Sequence, residues 1–373
     1  MKYLRKKLKQ NLKLDYLLIV LVLLLVIFGC VMVHSASSVS AQLHYNDEFF
    51  FARKQIIGAV IGLAGMITFS MIDYHKLEKF KWPIFIISLV LLVLVFIPKI
   101  GVENYGAKRW VNLGLFTIQP SEIAKFSFIL LSSATLSKNY DKVKSIKGII
   151  PVVLAGAVVC LLIIMEPNMS ITMLVGFSLL VMLFAGGITF KHFLLILIPV
   201  IALVPVLIII EPYRLKRLIA FLDPWSSPKG EGFQLVQSLY SLGNGGFFGV
   251  GIGNSRQKYL FLPFAESDFI FSIIGEETGF LGATLVCLIF LIIILRGIKI
   301  ALNAKDRFGC LLSTGITSII AIQFILNVCV VTGSIPPTGL PLPFISAGIT
   351  SLVVFMSAIG VVLNVNKQSK SRV

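Results

Sequence analysis

Charge is scarce in this chain, and negative charge scarcest. Asp and Glu number 17 in 373 residues, Lys and Arg 33, and together they make 13% of the sequence. Soluble domains carry about 25% charged residues. A hydrophobic content of 57% and a mean hydropathy of +0.95 therefore describe a chain that lives in lipid. The net charge of +16 would raise nucleic acid as a partner, but the positive residues fall in short loops between apolar runs and form no basic tract. The five cysteines, Cys30, Cys160, Cys287, Cys310 and Cys329, lie inside apolar stretches without CxxC spacing or a nearby His. That pattern excludes a zinc or redox motif and leaves small packing residues. Neither a repeat of solenoid length nor a Ser/Gly-rich linker is present, so nothing marks a separate soluble domain.

What is abundant is long apolar runs. A helix needs about 20 mostly apolar residues to cross hydrocarbon, which places spans near 16–34, 55–72, 83–98, 121–137, 149–165, 169–186, 193–210, 269–295, 309–331 and 349–364. The first follows a basic segment as a signal peptide would, but it is too long for one and reads as an uncleaved span. The stretch around Glu166-Pro167-Asn168 reads as a hairpin of two spans, the alternative being one broken, tilted helix. An even number of spans puts both termini on one side. That side carries 21 of the 33 Lys and Arg, the opposite loops carry 11, and Lys125 lies within a span. The positive-inside rule makes the termini cytoplasmic. The expected architecture is an all-α integral membrane protein of about ten transmembrane helices, a single polytopic domain over 1–373. One large extracytoplasmic loop, 211–268, separates spans 7 and 8. Function is expected there, because long loops in compact domains usually carry it.

Charges inside spans are costly and mark functional sites by default. Glu122 and Lys125 open the fourth span in Gln119-Pro120-Ser121-Glu122-Ile123-Ala124-Lys125, and their i, i+3 spacing puts both on one face. They either neutralise each other in the bundle or line a polar cavity open to the outer face. Asp268 opens the eighth span, where a carboxylate also gains from the helix dipole, and Glu276 and Glu277 follow deeper. The glycine-rich run Gly243 to Gly253 contains no GxxxxGK[ST] and is no P-loop; it reads as a close-packed surface segment. Lys108, Arg109, Arg214, Lys216, Arg217, Arg256 and Lys258 are placed to meet a lipid phosphate or a bound anion, though any one alone is more often an interfacial anchor. The segment Gly333 to Ser346 is apolar yet holds four prolines, so it is no continuous helix. It reads as a re-entrant cover over the outer cavity, tolerated only against protein or water.

These motifs resemble those of the SEDS family (shape, elongation, division and sporulation), the group containing FtsW, RodA and SpoVE, over nearly the whole chain. Met32-Val33-His34-Ser35-Ala36-Ser37-Ser38 resembles the family's MVYSASS. Gly106-Ala107-Lys108-Arg109-Trp110 with Gln119-Pro120-Ser121-Glu122 and Lys125 resembles GARRW…QPSE..K. Phe221 to Trp225, Gln234 to Leu239, the glycine run, Gly253 to Lys258, and Asp268 through Glu277 follow in family order. The Asn-Ser-Arg-Gln-Lys form and the opening segment look more like FtsW and SpoVE than RodA. Three segments depart from the pattern: Glu166 to Ser170 where QPDxGT is common, Pro263 to Ser267 for PExHT, and Ser346 to Ser351 for SYGGSS.

The resemblance implies a glycosyltransferase that polymerises lipid II outside the cytoplasmic membrane and releases undecaprenyl diphosphate, in division or in the sporulation septum. It implies as partner a class B penicillin-binding transpeptidase, with divisome or sporulation proteins around it. Asp268 matches the family's essential outer-loop aspartate and Glu122 with Lys125 its cavity pair, so these three are the expected catalytic residues. Arg109, Lys108, Arg217, Arg256, Lys258 and Ser346 are the expected substrate contacts. No cofactor is called for; a divalent cation, Mg or Mn, would suit the leaving diphosphate, and the sequence does not demonstrate one. Two rival readings are a transporter that flips lipid-linked precursors and a non-catalytic scaffold that recruits the transpeptidase.

Overall fold

The computed structural model describes residues 14–104, 107–112, 114, 117–138, 143–210 and 212–369. Gly106 of the Gly-Ala-Lys-Arg-Trp motif, Glu211 at the start of the long loop and the basic residues before Leu14 lie outside them. The described residues form α1 (Tyr16–Tyr45), α2 (Phe50–Met71), the short α3 (Tyr74–Lys79), α4 (Lys81–Leu94), strands β1 (Gly101–Asn104), β2 (Ala107–Asn112) and β3 (Thr117–Ile118), α5 (Pro120–Lys138), α6 (Ile146–Met165), α7 (Met169–Ala185) and α8 (Phe190–Ile210). Then come α9 (Pro212–Leu222), a 3-10 turn (Pro224–Ser226), α10 (Phe233–Gly245), α11 (Ile270–Leu302), α12 (Arg307–Val331) and α13 (Ile349–Ser369).

Among the described residues six helices, α1, α2, α6, α11, α12 and α13, are long and apolar enough to cross a membrane by length and composition, and α4, α7 and the first part of α8 are shorter apolar helices. A surrounded helix has no need to be apolar. Accordingly α5, packed among α4, α6, α7, α12 and α13, buries Glu122, Lys125 and several serines. Caps fix several helix starts: Asp15 accepts from Leu18 N–H at 3.2 Å, Asn168 from Ile171 at 3.3 Å and Asp306 from Gly309 at 2.9 Å, each satisfying an orphan donor. Asp15 is also held by Arg296 of α11, which ties the start of the first helix to the far end of the eleventh.

The expected hairpin at Glu166 is two helices, α6 and α7, packed side by side. Two spans are corrected. The first runs on to Tyr45, so the His34 to Ser38 motif sits inside a helix; its Ser/Ala composition hides the extension from a hydropathy ruler. The span expected from 269 is bent at Gly279, whose φ of 69° lies outside the helical region, so the segment carrying Glu276 and Glu277 is a separate short helix. The loop after α4 folds into a small antiparallel sheet of order β1-β2-β3, with Val102 opposite Trp110 and Val111 opposite Ile118.

Gly279 bends the chain so that the glycine run can lie against it. Backbone bonds cross in both directions: Val250 and Gly251 N–H donate to the carbonyls of Glu276 and Glu277 at 3.0 Å, while Phe280 and Leu281 donate to Gly246 and Phe247 at 2.9 and 3.2 Å. No side chain fits between. A Cβ on Gly249, at φ 81°, would stand 2.3 Å from the Glu277 carbonyl oxygen, and one on Gly279 would stand 2.3 Å from Gly249 N. Gly249→Ala and Gly279→Ala are expected to lower the thermal unfolding midpoint, through backbone strain on the order of 1–3 kcal/mol each before the clash is counted. Gly243→Ala, with nothing within 4 Å of its Cβ, should leave the midpoint unchanged. Equal midpoints for all three would refute the seam.

Candidate active site

The buried pair comes first, because its charges must be answered inside the protein. Pro120 suits the first position of α5, where its missing N–H is not needed. One turn on, Lys125 Nζ lies 2.8 Å from Glu122 Oε2, with both side chains 1% exposed. The ammonium also donates to Gln323 Oε1 on α12 at 2.9 Å and sits 4.5 Å from the centre of the Phe355 ring. Burying two ions is costly unless their donors and acceptors are met; here an amide and a ring face add to the ion pair on the ammonium side, while the carboxylate is answered by the ion pair.

The segment between α12 and α13 supplies the roof. It has no helix between Gly333 and Gly348, and it descends until Ile345 Cα touches Gly29, near the middle of α1. Its backbone is met by side chains. Gln323 Nε2 donates to Pro341 O at 2.8 Å, and Gln55 Nε2 donates to the carbonyls of Ile345 and Ser346 at 3.3 and 3.1 Å. Asn327 Nδ2 donates to Leu340 O at 2.7 Å and to Asp268 O at 2.8 Å. Ser346 is buried in the same structure: its hydroxyl donates to Ser267 O at 2.6 Å and accepts from Leu342 N–H at 2.7 Å. Ala347 N–H reaches Glu266 O at 2.9 Å. The roof and the Asp268 segment are thus sewn together.

Asp268 itself is half-buried, and its carboxylate rests against Gly339, where a Cβ would come to 3.1 Å from Oδ2. Burial pushes the carboxyl up to about 6; Arg109 opposes the rise, Glu266 adds to it, and Arg217 and a hydrogen bond from Ser267 oppose it. The charges of two guanidinium groups thus act on one partly desolvated carboxylate. Arg109, on β2, also donates through Nε to Glu166 O at 3.4 Å and through a terminal nitrogen to Pro167 O, pinning the sheet to the α6–α7 turn. Glu166 is fully buried with neither carboxylate oxygen hydrogen-bonded; burial raises it to about 8, with Arg109 pulling the other way. Burial raises Glu266 as well.

The remaining expected contacts are placed differently. Lys108 and Arg256 are exposed. Lys258 is buried and its ammonium donates to Gly253 O. Beside it the two deep carboxylates are stapled without a cation: Glu276 accepts from Ser241 Oγ at 3.2 Å, from Ser255 Oγ and from the N–H groups of Arg256 and Gln257 at 3.1 and 3.5 Å. Glu277 accepts from Ser35 Oγ at 2.6 Å and Ser255 N–H at 3.3 Å. The structure therefore groups Asp268, Arg109, Arg217 and Ser346, reaches Glu122 and Lys125 through the roof, and sets Arg256 and Lys258 in the loop bonded to Glu276. Sequence reasoning passed over Gln55, Gln323 and Asn327, whose signal was available as uncharged amides inside apolar helices. Among the described residues no group of three or more His, Cys, Asp or Glu is arranged to hold a metal ion.

Comparison with known proteins places this geometry in a family. Residues 15–371 match the FtsW, RodA and SpoVE family model, described as cell cycle protein. Stage V sporulation protein E of Bacillus subtilis (strain 168) is 41% identical over 358 residues, covering 95% of this chain and 98% of that one. The probable peptidoglycan glycosyltransferase FtsW of Geobacter metallireducens is 39% identical over 364 residues, covering 97% of each. Among solved structures, a chain from work on the structural coordination of polymerization and crosslinking by a peptidoglycan synthase complex superposes with a TM-score of 0.80 at 27% identity, covering 96% of this chain and 99% of that one. The rod shape determining protein RodA of Thermus thermophilus shares the fold, with a TM-score of 0.69 at 24% identity over 96% of this chain and 98% of its own.

Removing one member of the buried pair strands the other. Glu122→Gln and Lys125→Met should each cost about 3–5 kcal/mol, while the double substitution Glu122→Met with Lys125→Met should cost less than either alone. Denaturant unfolding of the detergent-solubilised protein measures all three, and additive losses would contradict the pairing.

Proposed function

This chain belongs to the FtsW, RodA and SpoVE family of cell cycle proteins, and from that premise we propose that it is a peptidoglycan glycosyltransferase of the cytoplasmic membrane, polymerising lipid II into glycan strands at a site facing outward. The family match, the relatives of near-equal length and the fold support the activity. The observation that carries the chemistry is Asp268, a half-buried carboxylate held against Gly339 just before α11, which burial raises to about 6 against the opposing charges of Arg109 and Arg217.

In the proposed step the 4-hydroxyl of one lipid II attacks the anomeric carbon of the growing chain, which is bonded to undecaprenyl diphosphate. Asp268 takes the hydroxyl proton, a general-base contribution of typically 10²–10⁴-fold. As the new glycosidic C–O bond forms, the anomeric carbon–phosphate oxygen bond breaks, and its electron pair leaves with the diphosphate. Arg109 and Arg217 meet that charge where it develops. Glu122 and Lys125 lie deeper, hold each other, and support the roof through Gln323. Lys108 at the surface meets lipid phosphate, and Arg256 and Lys258 shape the loop bonded to Glu276. The partner is a class B penicillin-binding transpeptidase that crosslinks the product, consistent with the synthase complex that the fold matches; its setting is the division or sporulation septum. These roles rest on placement and charge.

With the cognate transpeptidase and lipid II supplied, Asp268→Ala should abolish glycan polymer while still folding and binding the partner; polymer equal to the native chain would sink the role. The pH dependence has a definite sign. A base must be ionised, so kcat/KM should fall about tenfold per pH unit below the Asp268 value and level off above it, a value of about 6. Arg109→Ala removes the cation that most strongly opposes that rise, so its midpoint should move to higher pH. A profile of the Arg109 variant with an unmoved or lowered midpoint would contradict the assignment.

A further inference from the structure

Two amides on α12 join the parts of this site. Gln323 and Asn327 are i, i+4 on the one face of α12 that meets the roof, and both are essentially without solvent exposure, at 0% and 1%. Their chemistry leaves no freedom in how the amides are turned. A lysine ammonium only donates and a backbone carbonyl only accepts, so Gln323 must show its oxygen to Lys125 and its nitrogen to Pro341. Asn327 must show its nitrogen to Asp268 O and Leu340 O. The result is a directed series: Glu122, Lys125, Gln323 and the carbonyl of Pro341, then its neighbour Leu340, Asn327 and the backbone of Asp268.

We propose that Gln323 and Asn327 are positioning residues of the polymerase reaction, clamping the carbonyls of Leu340, Pro341 and Asp268 so that the Asp268 carboxylate is held against Gly339 at the place set by the buried Glu122–Lys125 pair. The proposal rests on the glycosyltransferase reading above. Its content is geometric. Asn327 fixes the peptide from which the Asp268 side chain springs, and Gln323 fixes the strand of roof that the carboxylate touches. A displacement of about 1 Å at a reacting group costs on the order of 100-fold, so the clamp acts on turnover and leaves lipid II capture to other groups. The two amides act as one unit with Lys125, because Gln323 is the ammonium's route to the roof.

The test uses the full chain with its transpeptidase partner, lipid II as substrate, and the variants Asn327→Leu, Gln323→Leu, Lys125→Met, Lys125→Met with Gln323→Leu, and Asp268→Asn. Expected are kcat losses of about 10- to 100-fold for each amide variant with KM within about twofold of the native chain. The double variant should lose little more than Lys125→Met alone, the signature of residues acting together. Amide hydrogen exchange should quicken in residues 340–346 and 267–269 of both amide variants. A folded variant with native kcat, a loss confined to KM, or additive losses would overturn the clamp. Should Asn327→Leu not fold, Gln323→Leu decides by the same split. If the native chain makes no polymer, or Asp268→Asn matches it, the enzymatic reading fails and the positioning role falls with it; quickened exchange in 340–346 and 267–269 would then show only that the amides hold the backbone, and unchanged exchange would refute even that.

Discussion

A backbone that leaves the helix inside a bundle must find its hydrogen bonds in protein, since hydrocarbon offers none. The segment from Gly333 to Gly348 is under that constraint, and the rest of the site follows from how it is met. Gln55, Gln323, Asn327 and Ser346 each spend polar atoms on its carbonyls or amides or on the carbonyls of the Ser267–Asp268 segment beside it. Each of those bonds also names a neighbour: α2, the buried pair on α5, and the peptide of Asp268. Satisfying an irregular roof therefore arranges the site beneath it. An apolar helix in the same place would have needed none of these residues and would have fixed nothing.

The carboxylates illustrate how one functional group takes different roles by environment. Glu122 faces a cation, Glu276 and Glu277 face hydroxyls and backbone N–H groups, and Glu166 has no hydrogen-bonded carboxylate oxygen and is raised to about 8. Asp268 alone among them is half-exposed with two guanidinium groups acting on it. The first three are held by their partners, Glu166 is enclosed without a hydrogen bond to its carboxylate, and Asp268 is open to a proton donor from outside. Counting charges inside spans finds the candidates, and only their surroundings sort them.

Much of this was legible beforehand. Six of the ten expected spans followed from apolar run length, the pair on α5 from its spacing, and the place of Asp268 from a charge at a helix start and a motif in family order. Other features left weaker traces. The bend at Gly279 looks like any glycine in a helix until the run opposite it is placed. Lys258 and Arg256 read alike in sequence, yet one is buried against Gly253 O and the other is exposed, because exposure is decided by a loop whose path no local pattern encodes. Gln323 and Asn327 carry no charge to mark them inside an apolar helix, and their importance comes from partners more than ten residues away, the Lys125 ammonium and the carbonyls of Pro341, Leu340 and Asp268.

The seam between the glycine run and α11 is made of main chain on both sides. Such a junction is nearly blind to side-chain identity. Around it stand exposed apolar groups, Phe247, Phe248, Val250 and Ile252, that can be exchanged without touching its bonds so long as the glycines remain. Substitution at these four positions can therefore redraft the outer surface of the loop while the segment leading back to Asp268 keeps its seat, so the loop's face and its footing are separable.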